Sequence, residues 1–259
     1  MSASPVLLET RALRLEVAGR VLCDALSLQL QAGECLGVLG QNGTGKTTLL
    51  HTLARLRPAN GGEILLQGRS LNAWSRKALA TQLGMLFQSS SDEMPASVEE
   101  TVLLGRHPHL PDWQWEAAQD HALARAALED VGLLAMAQRE VASLSGGERQ
   151  RLALAMLLAQ QPQLYLLDEP GNHLDIAYQV SALQLLCARL PAQGAAVCMA
   201  THDINLAARF CHRILLLRPH GEPLLGSAQD ILTPAILSEA YGCRIGVASA
   251  GTRQVFFAE

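Results

Sequence analysis

The sequence predicts an α/β protein whose mostly parallel sheet is preceded by antiparallel strands and interrupted by a helical segment. Three observations support this prediction. Short apolar runs that alternate with helical patterns, such as Leu164–Leu167 and Ile214–Leu217, are typical of parallel strands covered on both faces. The roughly alternating stretch Leu13–Val17 is typical of a half-buried antiparallel strand. Between about residues 90 and 160 the apolar periodicity is helical instead.

The composition indicates a globular chain with a sizeable core. The 259 residues are 49% hydrophobic and 17% charged, with 4% aromatic residues and a formal net charge of −4. Because basic and stacking surfaces are what nucleic-acid binding uses, we expect no nucleic-acid partner. No basic region followed by an apolar core opens the chain, and its apolar runs are too short to span a bilayer. We therefore expect a cytoplasmic protein whose membrane role comes through a partner.

The predicted elements follow one another without an internal repeat, which indicates one domain. The tail from Ile231 is predicted to hold one helix followed by two strands. The predicted strands are Leu13–Val17, Ala25–Leu30, Cys35–Leu39, Glu63–Leu66, Gly84–Phe87, Leu164–Leu167, Ala195–Ala200 and Ile214–Leu217. The predicted helices are the one that starts at Lys46 and three in the inserted segment, Val98–Leu104, Trp115–Val131 and Glu148–Ala159.

A glycine-rich loop joins the strand Cys35–Leu39 to the helix that starts at Lys46. It reads Gly40-Gln41-Asn42-Gly43-Thr44-Gly45-Lys46-Thr47, which fits GxxxxGK[ST] at every required position, and Thr48 follows. Glycines let backbone N–H groups turn toward phosphate oxygens, and the helix N-terminus adds a favourable dipole. We expect this loop to bind nucleotide phosphates, with Lys46 on the β- and γ-phosphates and the Thr47 hydroxyl on Mg²⁺.

Two acidic residues end the apolar strand Leu164–Leu167. Buried carboxylates are costly unless they meet cations, which makes Asp168 and Glu169 candidate active-site residues. Asp168 is placed to contact the Mg²⁺ shell. Glu169, one residue further, is placed to polarise an attacking water as a general base.

A third motif, Leu144-Ser145-Gly146-Gly147-Glu148-Arg149-Gln150, leads directly into a predicted helix. Ser145 is a good N-cap and can form a capping box with Glu148. Gly146 and Gly147 expose backbone N–H groups at a helix start, where an anion can bind. An ordinary capped helix and an anion site are compatible interpretations.

Together these motifs resemble those of ABC ATPases. Leu144–Gln150 matches the family's signature motif without departure, between a P-loop before it and Asp168-Glu169 after it. Gln88 resembles the Q-loop glutamine, Asn172-His173-Leu174-Asp175 the D-loop, and His202 the switch histidine. The resemblance, from about Leu7 to Tyr241, implies a P-loop NTPase (RecA-like) core with an N-terminal antiparallel β subdomain. Residues 1–259 would be one nucleotide-binding domain, with 1–89 and 161–259 as the core and 90–160 as an inserted helical subdomain that carries the signature.

The resemblance implies an ATPase that acts as a homodimer, since ABC ATPases trap each ATP between the P-loop of one subunit and the signature of the other. Ser145 and Gly147, with Gly146 between them, would bind the ATP of the opposite site. Residues acting on their own subunit's site would be Lys46, Thr47, Gln88, Asp168, Glu169 and His202. Of these, Thr47, Gln88 and Asp168 would surround Mg²⁺, and Glu169, His202 and Gln88 would serve catalysis.

Two positions depart from the family pattern. Val17 stands where an aromatic residue often stacks on adenine, so we expect an aliphatic contact or one from Arg20. Gly171 stands where a small hydroxyl residue is common, and we expect a modest effect on the D-loop.

Three looser stretches resemble the ATPase subunits of bacterial importers for iron chelates, haem and cobalamin. They are Leu104–His109, Asn172–Gln179, and Leu232–Pro234 with Ala240–Gly242. This resemblance implies a subunit at the cytoplasmic face of the inner membrane, bound to transmembrane permease subunits, with a substrate-binding protein in the complete system. Trp113 and Trp115 are expected to pack within the helical subdomain or at the permease contact. Two alternatives stay open, the ATPase of an exporter or lipid-transport system and a soluble ABC ATPase such as an iron–sulfur assembly factor.

Overall fold

The computed structural model describes residues 4–88, 95–111, 113–171, 175–219, 222–251 and 253–259. In chain order the elements are β1 (Val6–Val17), β2 (Arg20–Gln31), β3 (Cys35–Leu39), α1 (Lys46–Leu53), β4 (Gly61–Leu66), β5 (Arg69–Ser70), α2 (Arg76–Gln82), β6 (Leu83–Leu86), α3 (Val98–Leu103), α4 (Ala118–Asp130), α5 (Gly146–Gln160), β7 (Leu164–Asp168), α6 (Ile176–Gln193), β8 (Ala196–Ala200), α7 (Ile204–Phe210), β9 (Arg213–Leu216), β10 (Leu224–Ser227), α8 (Ala228–Ile231), α9 (Pro234–Tyr241), β11 (Ile245–Ala250) and β12 (Arg253–Ala258).

A six-stranded sheet in the order β10-β9-β3-β8-β7-β6 forms the centre of the molecule. Its neighbouring strands are parallel, except for the antiparallel pair of β9 and β10. Every residue of β3, β7 and β8 is buried, which explains why these strands are continuous apolar runs in the sequence. Because parallel strands end at one edge of the sheet, the loops that follow β3, β7 and β8 lie together there.

The N-terminal strands form a separate antiparallel sheet in the order β2-β1-β4-β5. Both β1 and β2 are longer than predicted from the sequence. The pairing of β1 with β2 shifts register between Thr10 and Leu13, and Ala12 and Ala25 have φ angles of 47° and 52°. Such bulges break the alternation of apolar and polar residues, so only part of each strand carries the pattern. The predicted antiparallel β subdomain is confirmed.

The helical subdomain lies between β6 and β7 and contains α3, α4 and α5. The Arg106 guanidinium joins two of its helices, with its Nε 2.9 Å from Asp120 Oδ1 in α4 and its Nη1 donating to the Ala159 carbonyl oxygen in α5 at 2.8 Å. Asp120 Oδ2 also accepts from the Ala117 N–H at 3.0 Å. This bond fixes the start of α4, which begins at Ala118 rather than at the predicted Trp115.

The two faces of the central sheet pack against different layers. One core joins β3, β7 and β8 to the helical subdomain and to α6, α7 and α9, and the other joins the same sheet to α1 and the N-terminal strands. The sequence did not reveal α2, which buries only Leu79, or β10, whose residues are all half-buried. The predicted C-terminal helix followed by two strands is confirmed as α9 and the β11–β12 hairpin. In the described ranges, no helix has the length and apolar character needed to cross a membrane.

Candidate nucleotide-binding and catalytic site

The glycine-rich loop leaves the carboxyl end of β3 and enters α1. A Cβ at Gly40, whose φ is 152°, would lie 2.5 Å from the Leu217 carbonyl oxygen. A Cβ at Gly45, whose φ is 102°, would lie 2.6 Å from Leu22 Cδ1. The Thr44 hydroxyl is buried and donates to the Gln41 carbonyl oxygen at 2.8 Å, which closes the turn. The N-cap of α1 is Gly45, which has no side chain to cap the helix, so in the described part of the chain the first N–H groups of α1 are available to an anion.

The Lys46 ammonium lies inside this loop. The residue is 7% exposed, and its Nζ is 2.9 Å from the Gly40 carbonyl oxygen and 3.3 Å from that of Gln41. Its third neighbour is Glu169 Oε1, at 3.7 Å. The buried cation is therefore held by backbone oxygens and one carboxylate, all of which a phosphate group can replace.

The acidic residues predicted from the sequence lie directly opposite the loop. Asp168, the last residue of β7, is 1% exposed, and its Oδ1 accepts from the Thr47 hydroxyl at 3.1 Å. Burial raises the pKa of Asp168 above its ordinary value, and the Thr47 hydrogen bond opposes that shift. A hydroxyl and a carboxylate at this spacing are hard oxygen ligands of the type that Mg²⁺ takes.

Glu169 has a φ of 49°, a conformation that non-glycine residues rarely adopt and that is enriched at functional sites. Its N–H donates to the Ala200 carbonyl oxygen at 2.9 Å, which holds the residue against the end of β8. Its Oε2 lies 2.7 Å from Nδ1 of His202, in the loop after β8. The next residue, Asp203, caps α7 through the N–H groups of Asn205 and Leu206. The structure thus brings Lys46, Glu169 and His202 into one chain of contacts.

A cavity of about 410 Å³ opens over the loop. It is lined by Val17, Leu22, Asn42, Gly43, Gly45, Lys46, Thr47, Thr48, Gln88 and Glu169. Gln88 is therefore at the site, as predicted. Val17 and Leu22 give this cavity an aliphatic side, and the Arg20 guanidinium donates to the Pro219 carbonyl oxygen at 3.3 Å. The expected contact of adenine with an aliphatic residue or with Arg20 stays a prediction. Leu22 was not predicted, because nothing in a strand sequence shows which side chain meets a loop from another element.

The signature segment forms the N-terminus of α5. Ser145 Oγ accepts from the Glu148 N–H at 3.3 Å, and Glu148 Oε2 accepts from the Ser145 N–H at 2.7 Å, which confirms the predicted capping box. These bonds lower the pKa of Glu148. Ser145 and Gly146 are exposed and Gly147 is half-buried. Within the described residues, none of these three lines the cavity over the P-loop of the same chain.

The D-loop prediction falls largely on residues 172–174, which lie outside the described residues. Asp175 is described, and its side chain accepts from the Tyr178 N–H at 2.8 Å to cap α6. Gly171 precedes residues 172–174, and its carbonyl oxygen accepts a hydrogen bond from the side chain of Gln179 in α6. A Cβ at residue 171 would lie 2.7 Å from Gln179 Nε2, so glycine leaves room for this contact.

Trp113 and Trp115 do not pack within the helical subdomain, and the alternative expectation, a contact with the permease, stays a prediction. Their exposed fractions are 101% and 90%. Trp113 has a φ of 66°, and the helix that was predicted to carry Trp115 begins only at Ala118. Neither indole is therefore covered by the residues that the structure describes.

The geometry agrees with the comparisons to known proteins. Residues 23–172 match the family described as ABC transporter. The chain is 40% identical to the hemin import ATP-binding protein HmuV of Pseudomonas entomophila (strain L48), over 91% of this chain and 92% of that protein. It is 35% identical to the iron(3+)-hydroxamate import ATP-binding protein FhuC of Bacillus subtilis (strain 168), over 90% of this chain and 87% of that protein.

Among solved structures, one described as a metal-chelate type ABC transporter in an inward-facing conformation superposes with a TM-score of 0.85. The two chains are 29% identical, and the match covers 98% of each. The predicted fold class is confirmed by this likeness. The chain belongs to the ABC transporter family, as an ATP-binding subunit that hydrolyses ATP.

Proposed function

We propose that this chain is the ATPase subunit of an importer for an iron chelate or haem, and that it acts as a homodimer on transmembrane permease subunits. The observation that carries the proposal is the set of contacts that joins the buried Lys46 and Glu169 to the exposed His202, beside Thr47 and Asp168. This set stands in a chain 40% identical to a hemin import ATP-binding protein over 91% of its length. Residues 1–259 would form one nucleotide-binding domain, with residues 90–160 as its helical insertion.

Phosphate binding is assigned to the P-loop. A phosphate can take the Lys46 ammonium from the carbonyl oxygens of Gly40 and Gln41, and the uncapped N–H groups of α1 add to its binding. The aliphatic side chains of Val17 and Leu22, which line the cavity, are available to the adenine ring. An apolar contact of this kind provides less base selectivity than a stacked aromatic ring.

The residues present fit a Mg²⁺ ion. Thr47 and Gln88 line the cavity with a hydroxyl and an amide oxygen, and the buried Asp168 carboxylate accepts from the Thr47 hydroxyl beside it. Burial raises the pKa of Asp168 above its ordinary value, a shift that a nearby cation would oppose. When bound, the ion would neutralise phosphate charge during hydrolysis. The chain's own part is to hold these oxygens in place before the nucleotide arrives.

Glu169 is proposed as the general base. Its two oxygens are engaged separately, Oε1 near Lys46 and Oε2 at His202, so the carboxylate is oriented on both sides. Glu169 can accept a proton from water once phosphate draws Lys46 away from it. His202 contacts Glu169 through Nδ1, and its 60% exposed side chain can reach a γ-phosphate through Nε2.

The homodimer is proposed because the signature segment is largely exposed and, among the described residues, does not line the cavity over the P-loop of its own chain. Ser145, Gly146 and Gly147 form the N-terminus of α5, with Ser145 and Gly146 exposed and Gly147 half-buried, and the Glu148 carboxylate accepts from the Ser145 N–H within the capping box. A second copy, packed head to tail, would place this segment against the γ-phosphate at the partner's P-loop. The permease would hold the pair at the cytoplasmic face of the membrane, with a substrate-binding protein delivering cargo outside.

The test is transport by a reconstituted complex. The chain is co-expressed with candidate permease subunits from the same genome, and the purified complex is placed in vesicles with ATP on the side of this subunit. We expect ATP-dependent movement of a ferric hydroxamate or of haem toward the ATP side, and no movement with the Glu169→Gln complex.

Three outcomes would contradict the proposal. Movement of lipid or solute away from the ATP side would indicate an exporter. Failure to co-purify with any permease, together with full ATPase activity alone, would indicate a soluble ABC ATPase such as an iron–sulfur assembly factor. Uptake of cobalamin without iron chelate or haem would keep the importer and replace its substrate.

A further inference from the structure

The carbonyl oxygens of the three residues before the signature serine accept hydrogen bonds from arginine side chains. Arg149 donates from Nη2 to the Ala142 carbonyl oxygen and from Nε to that of Leu144, each at 3.1 Å. Between them, the Ser143 carbonyl oxygen accepts from Nη2 of Arg139 at 3.2 Å. Three successive carbonyl oxygens are therefore held by two guanidinium groups, and Arg149 holds two of the three.

Arg149 fixes the chain on both sides of Ser145. Its own N–H donates to the Ser145 carbonyl oxygen at 2.9 Å within α5, while its side chain reaches back to the carbonyl oxygens of Leu144 and Ala142. A guanidinium is planar and its donors stand at fixed angles, so two hydrogen bonds from one group fix both carbonyls relative to each other. The path of the backbone into Ser145 is thereby set by a residue that follows it.

The charge of Arg149 is unfavourable for the helix that carries it. Arg149 is the fourth residue of α5, and a cation near a helix N-terminus opposes the helix dipole, whereas Glu148 beside it agrees with that dipole. Among the described residues, Arg149 forms no ion pair with a carboxylate. Its partner Ala142 is exposed, so water could satisfy that carbonyl as well. Folding alone gives little reason for a cation here, whereas an anion that arrives at this helix end gives one.

We propose that Arg149 is a positioning residue of the ATPase, which holds the backbone around Ser145 in the shape that receives the γ-phosphate bound at the P-loop of a second copy of this chain. Carbonyl oxygens that are free to turn toward this phosphate would repel it, and Arg149 keeps those of Ala142 and Leu144 engaged before the phosphate arrives. The positive charge of the guanidinium adds attraction for the phosphate. This inference rests on the proposed homodimer.

The test measures phosphate release by the permease complex and the nucleotide affinity of the isolated full-length subunit. Arg149→Gln should lower kcat by about ten- to a hundredfold, the effect expected for one hydrogen bond from a charged donor. In the described part of the chain, Arg149 does not line the cavity over the P-loop. Affinity for the hydrolysis-resistant analogue adenylyl imidodiphosphate should therefore stay within about twofold of the wild type, and the nucleotide-free melting temperature within about 3 °C.

Arg125→Gln is the matched control in the same subdomain. The Arg125 guanidinium lies 3.3 Å from the Glu99 carboxylate, and its side chain is 55% exposed. The substitution removes an arginine of α4 without removing a bond to the backbone before Ser145, so kcat should equal that of the wild type.

Mixed dimers separate a role at the second copy's ATP from a role in the fold. Arg149→Gln and Lys46→Ala subunits are combined before assembly, so that half of the dimers contain one subunit of each kind. In these dimers the intact P-loop of the Arg149→Gln subunit faces the intact signature of the Lys46→Ala subunit. About a quarter of the wild-type activity should therefore return. If Arg149 acted on its own P-loop, or if its loss disturbed the whole subunit, the mixture would gain nothing.

Arg149→Lys distinguishes position from charge. A lysine keeps the charge but carries one ammonium on a flexible stem, so it cannot hold two carbonyls at fixed angles. We expect kcat of Arg149→Lys to stay at least about fivefold below that of the wild type.

Three results would overturn the inference. The first is wild-type kcat in Arg149→Gln, and the second is wild-type kcat in Arg149→Lys, which would leave only the charge. The third is an inactive mixture of Arg149→Gln with Lys46→Ala while the mixture of Gly146→Asp with Lys46→Ala recovers activity. If neither mixture recovers activity, the proposed homodimer fails and the inference falls with it.

Discussion

The helical subdomain and the nucleotide-binding face both bury charged side chains, but they treat that charge differently. In the helical subdomain Arg106 and Asp120 form an ion pair at 2.9 Å. Arg106 also donates to the Ala159 carbonyl oxygen, and Asp120 also accepts from the Ala117 N–H. At the nucleotide-binding face Lys46 is shared between backbone oxygens and Glu169 at 3.7 Å, while Asp168 has a hydroxyl as its hydrogen-bond partner.

This difference separates charge used for folding from charge held for a ligand. The pKa of Asp120 lies below its ordinary value because of Arg106, whereas burial raises that of Asp168. A carboxylate with a lowered pKa stabilises the fold in its charged form, and one with a raised pKa destabilises it. The contrast can be tested by making equivalent changes in both regions.

The largest effect is expected at Glu169. Replacing it by Gln removes the proposed base but keeps the size and the hydrogen-bonding ability of the side chain, so hydrolysis should fall by about 10²- to 10⁴-fold while ATP still binds. The measurement is phosphate release by the permease complex together with nucleotide affinity. Glu63→Gln is the matched control, since the Glu63 side chain is 47% exposed and its carboxylate lies 4.0 Å from Arg11, too far for a strong ion pair. Wild-type hydrolysis in Glu169→Gln would show that the base lies elsewhere.

The next largest effect tests whether the two regions meet across a dimer. Gly146→Asp places a negative charge at the signature, where a Cβ has open space, and Lys46→Ala disables the P-loop. Each variant alone should be inactive. When the two variants are mixed before assembly, half of the dimers contain one subunit of each kind. Each of these dimers has one intact site out of two, so about a quarter of the wild-type ATPase activity should return. Mixtures as inactive as the single variants would contradict the head-to-tail arrangement.

The sequence was informative where function depends on contiguous residues. The P-loop, Asp168-Glu169 and the capping box at Ser145 are each local, and their backbone requirements are visible as glycines and caps. What could not be predicted depends on contacts between distant segments. Leu22 meets Gly45 across the P-loop, and Gln41 in the same loop donates to the Ala240 carbonyl oxygen at the end of α9, yet neither Leu22 nor Ala240 differs in pattern from an ordinary core residue. Of the two places expected for the Trp pair, packing within the helical subdomain is wrong, because hydrophobicity alone does not show that a side chain is covered by its own chain.

In the helical subdomain, Asp120→Asn should destabilise the protein by about 3 kcal/mol, because Arg106 is left without its carboxylate in a site where both side chains are largely buried. Asp130→Asn in the same helix is the control, since its pair with Arg189 is more exposed and should contribute at most about 1 kcal/mol. The pKa of Asp120 is lowered from 3.8. Its contribution should therefore be complete above about pH 5 and decline as pH falls through 3.8 and below. Urea unfolding at several pH values measures both changes, and equal effects of the two substitutions would remove the distinction between these pairs.

The smallest effect has the opposite sign. Asp168→Asn should stabilise the nucleotide-free protein by roughly 1 kcal/mol at pH 7, because a neutral amide loses less on burial than a carboxylate and can still bond to Thr47. Burial raises the pKa of Asp168 above its ordinary value of 3.8, so the unfolded chain releases this proton first and the wild type loses stability as pH rises from about 4 through the folded-state pKa. Asp168→Asn does not undergo this loss. Its gain in unfolding free energy over the wild type should therefore be absent below about pH 4 and constant above the folded-state pKa of Asp168.

The same variant should lose the extra stabilisation that Mg·ATP gives the wild type, since the amide cannot supply the charge that a divalent cation requires. Urea unfolding with and without Mg·ATP, across the same pH series as for Asp120→Asn, gives both values in one set of measurements. If Asp168→Asn were destabilising without nucleotide at pH 7, the Asp168 charge would already be compensated by the fold. The nucleotide-binding face would then use its buried charge as the helical subdomain does, and the separation between the two regions would not hold.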